Sequence, residues 1–113
     1  MHELSLMEGV LSLILDAQAQ HGFQKVERVI LEIGDLAGVE TEALTFCWEA
    51  VMAGTPAESA VLELVAEPAK CWCGTCCCEV PVQSRWDLCP DCGLALGPPF
   101  TGTDLKLKSL EVE

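Results

Sequence analysis

Apolar residues recur at three- and four-residue steps from the start of the chain: Leu4, Met7, Val10, Leu11, Ile14 and Ala17. That period predicts an amphipathic helix over residues 4 to about 20. Ser5 and Glu8 have capping-box spacing, and His21-Gly22 supplies a stop, with His21 placed against the negative end of the helix dipole. Residues 25–33 then change to a two-residue period, with Val29, Leu31 and Ile33 on one side and Arg28 and Glu32 on the other, as in a half-buried strand. Gly34, Asp35 and Gly38 mark a loop. A second helix is expected from about Glu40 to Ala53, with Ala43, Leu44, Cys47 and Val51 facing inward, ended by Gly54-Thr55-Pro56. Residues 60–67 alternate again and read as a second strand.

Pro68 begins a different kind of sequence. Seven of the eight cysteines lie between Pro68 and Pro99, in a stretch too poor in large apolar residues to hold a shape by burial alone. Beyond it, residues 104–112 resume strand alternation, Leu105 and Leu107 inward and Lys106 and Lys108 outward. The parity reverses at Leu110 and Val112, which a β-bulge near Ser109 would explain. This last strand needs a sheet to cover its apolar face. The expected fold is therefore α+β: two helices packed on a three-stranded sheet, with an inserted zinc-ribbon module. The expected division is 1–67 plus 103–113 for the first domain and 68–102 for the ribbon.

Six basic against eighteen acidic residues give a formal charge of −12. Nucleic acid, which is held through lysine and arginine on phosphate, is disfavoured as a partner, and so is an anionic membrane surface. A basic protein or a metal cation suits the sign. No basic leader precedes an apolar run, and no stretch reaches the roughly 18 apolar residues of a membrane span. The expected location is cytoplasmic, where eight cysteines point to metal ligation ahead of disulfides.

Only Cys73/Cys76 and Cys89/Cys92 have C-x-x-C spacing, and twelve residues separate the two pairs. Two such knuckles converge on one ion as a closed tetrathiolate, the usual arrangement of structural zinc. Two other readings remain at this point. Cys73 and Cys76 alone have the spacing of a redox pair, and Cys89-Pro90-Asp91-Cys92-Gly93 resembles a rubredoxin knuckle, in which the same sulfurs would hold iron. Cys47 reads as a buried core residue. Cys71, Cys77 and Cys78 read as spare surface thiols, with ligand exchange or a second thiophilic metal as the alternative.

Met1-His2-Glu3 places several nitrogens within three residues. The α-amine, the amide and imidazole Nδ1 of His2, and the amide of Glu3 can close fused chelate rings around one ion. Such a planar nitrogen set suits Ni(II) or Cu(II) better than tetrahedral Zn(II). The other reading is a frayed, unliganded terminus. Met1 is expected to be retained, because aminopeptidases usually remove it only before small residues.

Met1-His2-Glu3-Leu4-Ser5, the Gly34-Asp35-Leu36 turn, Phe46 with Glu49, the two knuckles and the closing Ser109-Leu110-Glu111-Val112 together resemble the HypA/HybF family of hydrogenase nickel-incorporation proteins. The resemblance runs the length of the chain in the same order. It implies Ni(II) as transient cargo on Met1, His2 and Glu3, and structural or regulatory Zn(II) on Cys73, Cys76, Cys89 and Cys92. It also implies the nickel-handling GTPase HypB and the large subunit of [NiFe]-hydrogenase as partners, with urease served by some members. Glu40 matches loosely an acidic residue that some members carry near nickel. The chain is expected to be a monomer or weak homodimer, and not an enzyme: no nucleophile–base set or phosphate-cradling loop stands out. Two rivals remain, a protein-interaction module with a structural ribbon and a rubredoxin-like electron carrier.

Overall fold

The computed structural model describes residues 2–113. Helix α1 spans His2–His21, β1 Val26–Gly34, α2 Thr41–Met52, β2 Val61–Glu67, β3 Ala69–Cys73, β4 Cys78–Val82 and β5 Leu105–Val112. The expected α+β architecture is present: two helices, a three-stranded sheet in the order β2-β1-β5, and a separate two-stranded hairpin, β3-β4. The larger sheet is mixed. At one end of β1 the Val26 N–H donates to Pro56 O (3.0 Å) and at the other the Asp35 N–H donates to Glu67 O (3.0 Å), so β2 runs parallel to it. The Gly34 N–H donates to Asp104 O (2.9 Å) and the Glu113 N–H to Lys25 O (2.8 Å), so β5 runs antiparallel. The last strand thus pairs with the first, as its apolar face required.

The chain forms two compact units, one of residues 1–31, 39–64 and 107–113, the other of residues 32–38 and 65–106. In the first, Met7, Val10 and Ile14 of α1, Val26, Val29 and Leu31 of β1, and Leu44, Trp48 and Met52 of α2 are buried. The periodicity of α1 held, although the helix starts at His2, two residues before the apolar stripe. Gly22 ends it with φ 72° and an N–H bond to Gln18 O (2.8 Å). Helix α2 is rotated from the expected face: Leu44, Trp48 and Met52 carry the burial, while Ala43, Cys47 and Val51 lie at its margin. The large indole and thioether displace the smaller residues, because they remove more apolar surface from water. Burial along β5 changes parity as expected, from Leu105 and Leu107 to Leu110, with Lys108 and Ser109 both outward; Val112 is exposed.

In the second unit, Ala69, Cys71, Cys73, Val80, Val82 and Cys89 form a small core, against which Leu36, Cys78, Cys92 and Leu96 pack. Apolar spacing alone does not predict this hairpin. Its strands alternate, with Ala69, Cys71 and Cys73 facing in and Trp72 facing out. Gly102, at φ 74°, donates its N–H to Glu67 Oε1 (2.8 Å) and accepts from the Leu36 N–H (2.8 Å). A Cβ there would lie 2.6 Å from the Ala69 Cα, so glycine is required both by backbone conformation and by space.

Candidate metal centre

The β3-β4 hairpin and the loop that follows bring the two knuckles together. Cys73 closes β3, and Cys76 lies three residues on, in the connecting turn, with its N–H directed at Cys73 Sγ (3.4 Å). In the second knuckle the Gly93 N–H returns to Cys89 O (2.8 Å) and the Cys89 N–H reaches Leu94 O (3.0 Å). Gly93 has φ 73°, a conformation glycine adopts without cost. The turn is further held by a bridge between Leu88 and Ala95.

Each knuckle sets one sulfur against a sulfur of the other. Cys73 Sγ and Cys92 Sγ are 3.6 Å apart, Cys76 Sγ and Cys89 Sγ 3.9 Å, and all four lie within 4.8 Å of one another. A tetrahedron of thiolates with metal–sulfur bonds of about 2.3 Å has edges of about 3.8 Å, so the set fits a closed tetrathiolate centre. Cys73 and Cys89 are buried; Cys76 is the most open of the four. The Cys76 N–H pointed at its sulfur, with help from the neighbouring thiols, brings the Cys73 thiol down to about 7, while Cys73 and Cys92 push the Cys76 thiol up. A bound metal cation would hold all four as thiolates.

The other cysteines are not simply surface thiols. Cys71 faces the small core, where burial raises its thiol, and Cys78 is half-buried; only Cys77 is exposed. Strand alternation, which places Cys71 on the same side as Cys73, is the reason. Cys47 is half-buried at the margin of α2.

At the other candidate site Met1 lies outside the described residues. His2 is exposed, in the first turn of α1, with Nδ1 3.9 Å from Glu3 Oε2. Glu3 Oε2 also accepts from the Glu40 N–H (3.4 Å), ahead of α2. Its own N–H and that of Glu40 hold the Glu3 carboxyl below the usual range. Residue 40 therefore meets the terminal segment through its backbone, a contact no local pattern announces.

A family model described as hydrogenase/urease nickel incorporation, metallochaperone, hypA matches residues 1–112. The chain belongs to the HypA family. As a HypA-family member it is a nickel metallochaperone of hydrogenase/urease maturation, not a catalyst. It is 49% identical over 112 residues to the hydrogenase maturation factor HypA of Beijerinckia indica subsp. indica, covering 99% of each chain. It is 45% identical to that of Azotobacter chroococcum over the whole of both. The HypA fold is shared with the solution structure of the nickel metallochaperone HypA from Helicobacter pylori, with TM-score 0.74 and 20% identity over 97% of this chain and 96% of that one. Among the described residues no helix is long and apolar enough to cross a membrane.

Proposed function

We propose that the chain carries Ni(II) on the α-amine of Met1, the amide and imidazole Nδ1 of His2 and the amide of Glu3, and holds Zn(II) on Cys73, Cys76, Cys89 and Cys92. The nickel is passed to the large subunit of [NiFe]-hydrogenase in the cytoplasm, with the GTPase HypB as helper. Residues 1–67 with 103–113 form the nickel-binding domain and 68–102 the zinc domain. The working protein is a monomer or weak homodimer.

The observation that carries the nickel reading is the placement of His2 and Glu3 in the first turn of α1. Amides of the first turn have no acceptor within the helix, so a metal can claim them without breaking helical hydrogen bonds. The positive end of the helix dipole stabilises the deprotonated amides that such a site needs. An exposed imidazole and a chain terminus can leave the ion one donor at a time, as delivery requires; transfer is ligand exchange without redox change. Zinc supplies the fixed charge and the cross-link that holds the two knuckles; no step of nickel transfer passes through it.

The test is a chain extended by two residues before Met1. Extension keeps every side chain but removes the amine from the chelate, so the planar Ni–N spectrum should vanish. An unchanged spectrum would remove the terminal site. A protein that carries iron and shows a reversible redox wave would instead favour the rubredoxin-like reading of the cysteine centre.

A further inference from the structure

Beside the four converging sulfurs lies a thiol that the four-cysteine centre does not use. Cys78 opens β4 and pairs directly with Cys73 in the antiparallel register of the hairpin. Directly paired residues present their side chains on the same face, with Cβ atoms about 4.5–5.5 Å apart. Cys78 therefore shares a face with a buried ligand. It packs against the cluster that contains Cys73 and Cys89. The remaining thiols are placed differently: Cys71 pairs with Val80, two residues further along the strand, and Cys77 is exposed with Sγ on Gly74 O (3.5 Å).

The two knuckles also differ in the residue after their second cysteine. In the second it is Gly93, φ 73°. In the first it is Cys77, φ 53°, a left-handed conformation that costs a residue with a Cβ roughly 1–2 kcal/mol. The residue after the ligand Cys76 thus sits in a strained turn, between the paired Cys73 and Cys78. Cys76 is also the most open of the four ligands, the one that solutes reach first.

We propose that Cys78 is a reserve ligand of the metal centre, able to take the coordination position of Cys76. In the exchange the Cys78 thiol loses its proton to solvent and binds the ion, while the Cys76 thiolate leaves and is protonated. Four thiolates remain on the metal and nothing is oxidised. The centre tolerates attack on its exposed ligand without releasing the ion.

The inference rests on the tetrathiolate reading, and the experiment separates the two. Zinc-loaded full-length protein is treated with N-ethylmaleimide, with sites of alkylation mapped by mass spectrometry and zinc release followed by a chromogenic chelator. Wild type alkylated at Cys76 should keep its zinc, whereas C78A alkylated at Cys76 should release it. Equal release from both would overturn the inference. Cobalt-loaded variants give a second reading. C76A should keep the charge-transfer intensity of four thiolates, and C76A/C78A should lose intensity and bind more weakly by at least the roughly 10–100-fold that even outer-shell changes cost. C76A indistinguishable from C76A/C78A would also overturn it. C73A/C78A, which removes a buried ligand together with the thiol paired opposite it, reports on the centre itself: full cobalt intensity there would mean that the four-cysteine assignment, and not the reserve ligand, is wrong.

Discussion

Stripping the metal from Cys73, Cys76, Cys89 and Cys92 should unfold the β3-β4 hairpin and its knuckles, within the second unit, and leave the helical unit standing. The apolar core of the cysteine unit contains two valines, one alanine and three cysteines. Full burial of Val80 and Val82 contributes about 3–6 kcal/mol together. Ordering the ten residues of β3 and β4 alone costs on the order of 15 kcal/mol, at about 1.5 kcal/mol each. The shortfall, about 9–12 kcal/mol, is close to the roughly 10–16 kcal/mol that structural zinc returns. The helical unit has Met7, Ile14, Leu31, Leu44 and Met52 fully buried and depends on no metal for its core. Amide hydrogen exchange before and after chelation reads the two units separately. Peptides covering 69–82 should lose protection, while those covering Met7–Ile14 and Leu44–Met52 keep it. Protection at 69–82 that survives verified removal of the metal would refute the reasoning.

Other consequences follow from the same contacts. Gly102→Ala combines a left-handed backbone (roughly 1–2 kcal/mol) with a Cβ 2.6 Å from the Ala69 Cα (overpacking, about 1–3 kcal/mol), so it should cost about 2–5 kcal/mol in denaturant titration. Gly38→Ala, at φ 69° with nothing within 4 Å, should cost only the backbone share, about 1–2 kcal/mol; equal losses would contradict this. The Gly102 N–H, aided by Lys106, holds the Glu67 carboxyl below its ordinary range. A lowered folded value means stability that is complete above the unfolded pKa, about 4.3, and lost as pH falls through the folded value. Glu67→Gln should therefore be less stable at neutral pH, and the gap to wild type should close on acidification; a gap independent of pH would count against the assignment. Nickel held by deprotonated amides and a neutral imidazole should leave before thiolate-bound zinc as pH drops. Simultaneous release in a titration with metal analysis would remove that distinction.

The parts of this molecule written in local spacing were legible. The period of α1, the alternation of β1 and the change of parity after Lys108 in β5 each reflect neighbours one to four residues apart. The two knuckles were readable for the same reason, since three-residue spacing alone brings a pair of sulfurs to one ion. Three features were not. The inner face of α2 depended on how Trp48 and Met52 fill a space built by other segments. The β3-β4 hairpin was hidden because half of its inward positions are cysteine; treating Cys71 and Cys73 as apolar would have revealed the Ala69-Cys71-Cys73 and Val80-Val82 alternation. The contacts of Glu67 with Gly102 and of Glu3 with Glu40 join residues 35 and 37 apart, and no periodicity encodes them.

The most direct test of nickel handling at the chain terminus is a nickel titration of untagged, zinc-loaded protein, wild type against His2→Ala, with bound metals quantified. Wild type should hold zinc and take up nickel with a planar Ni–N spectrum that His2→Ala abolishes while zinc stays unchanged. Nickel bound equally by the variant would place the cargo elsewhere and contradict the account.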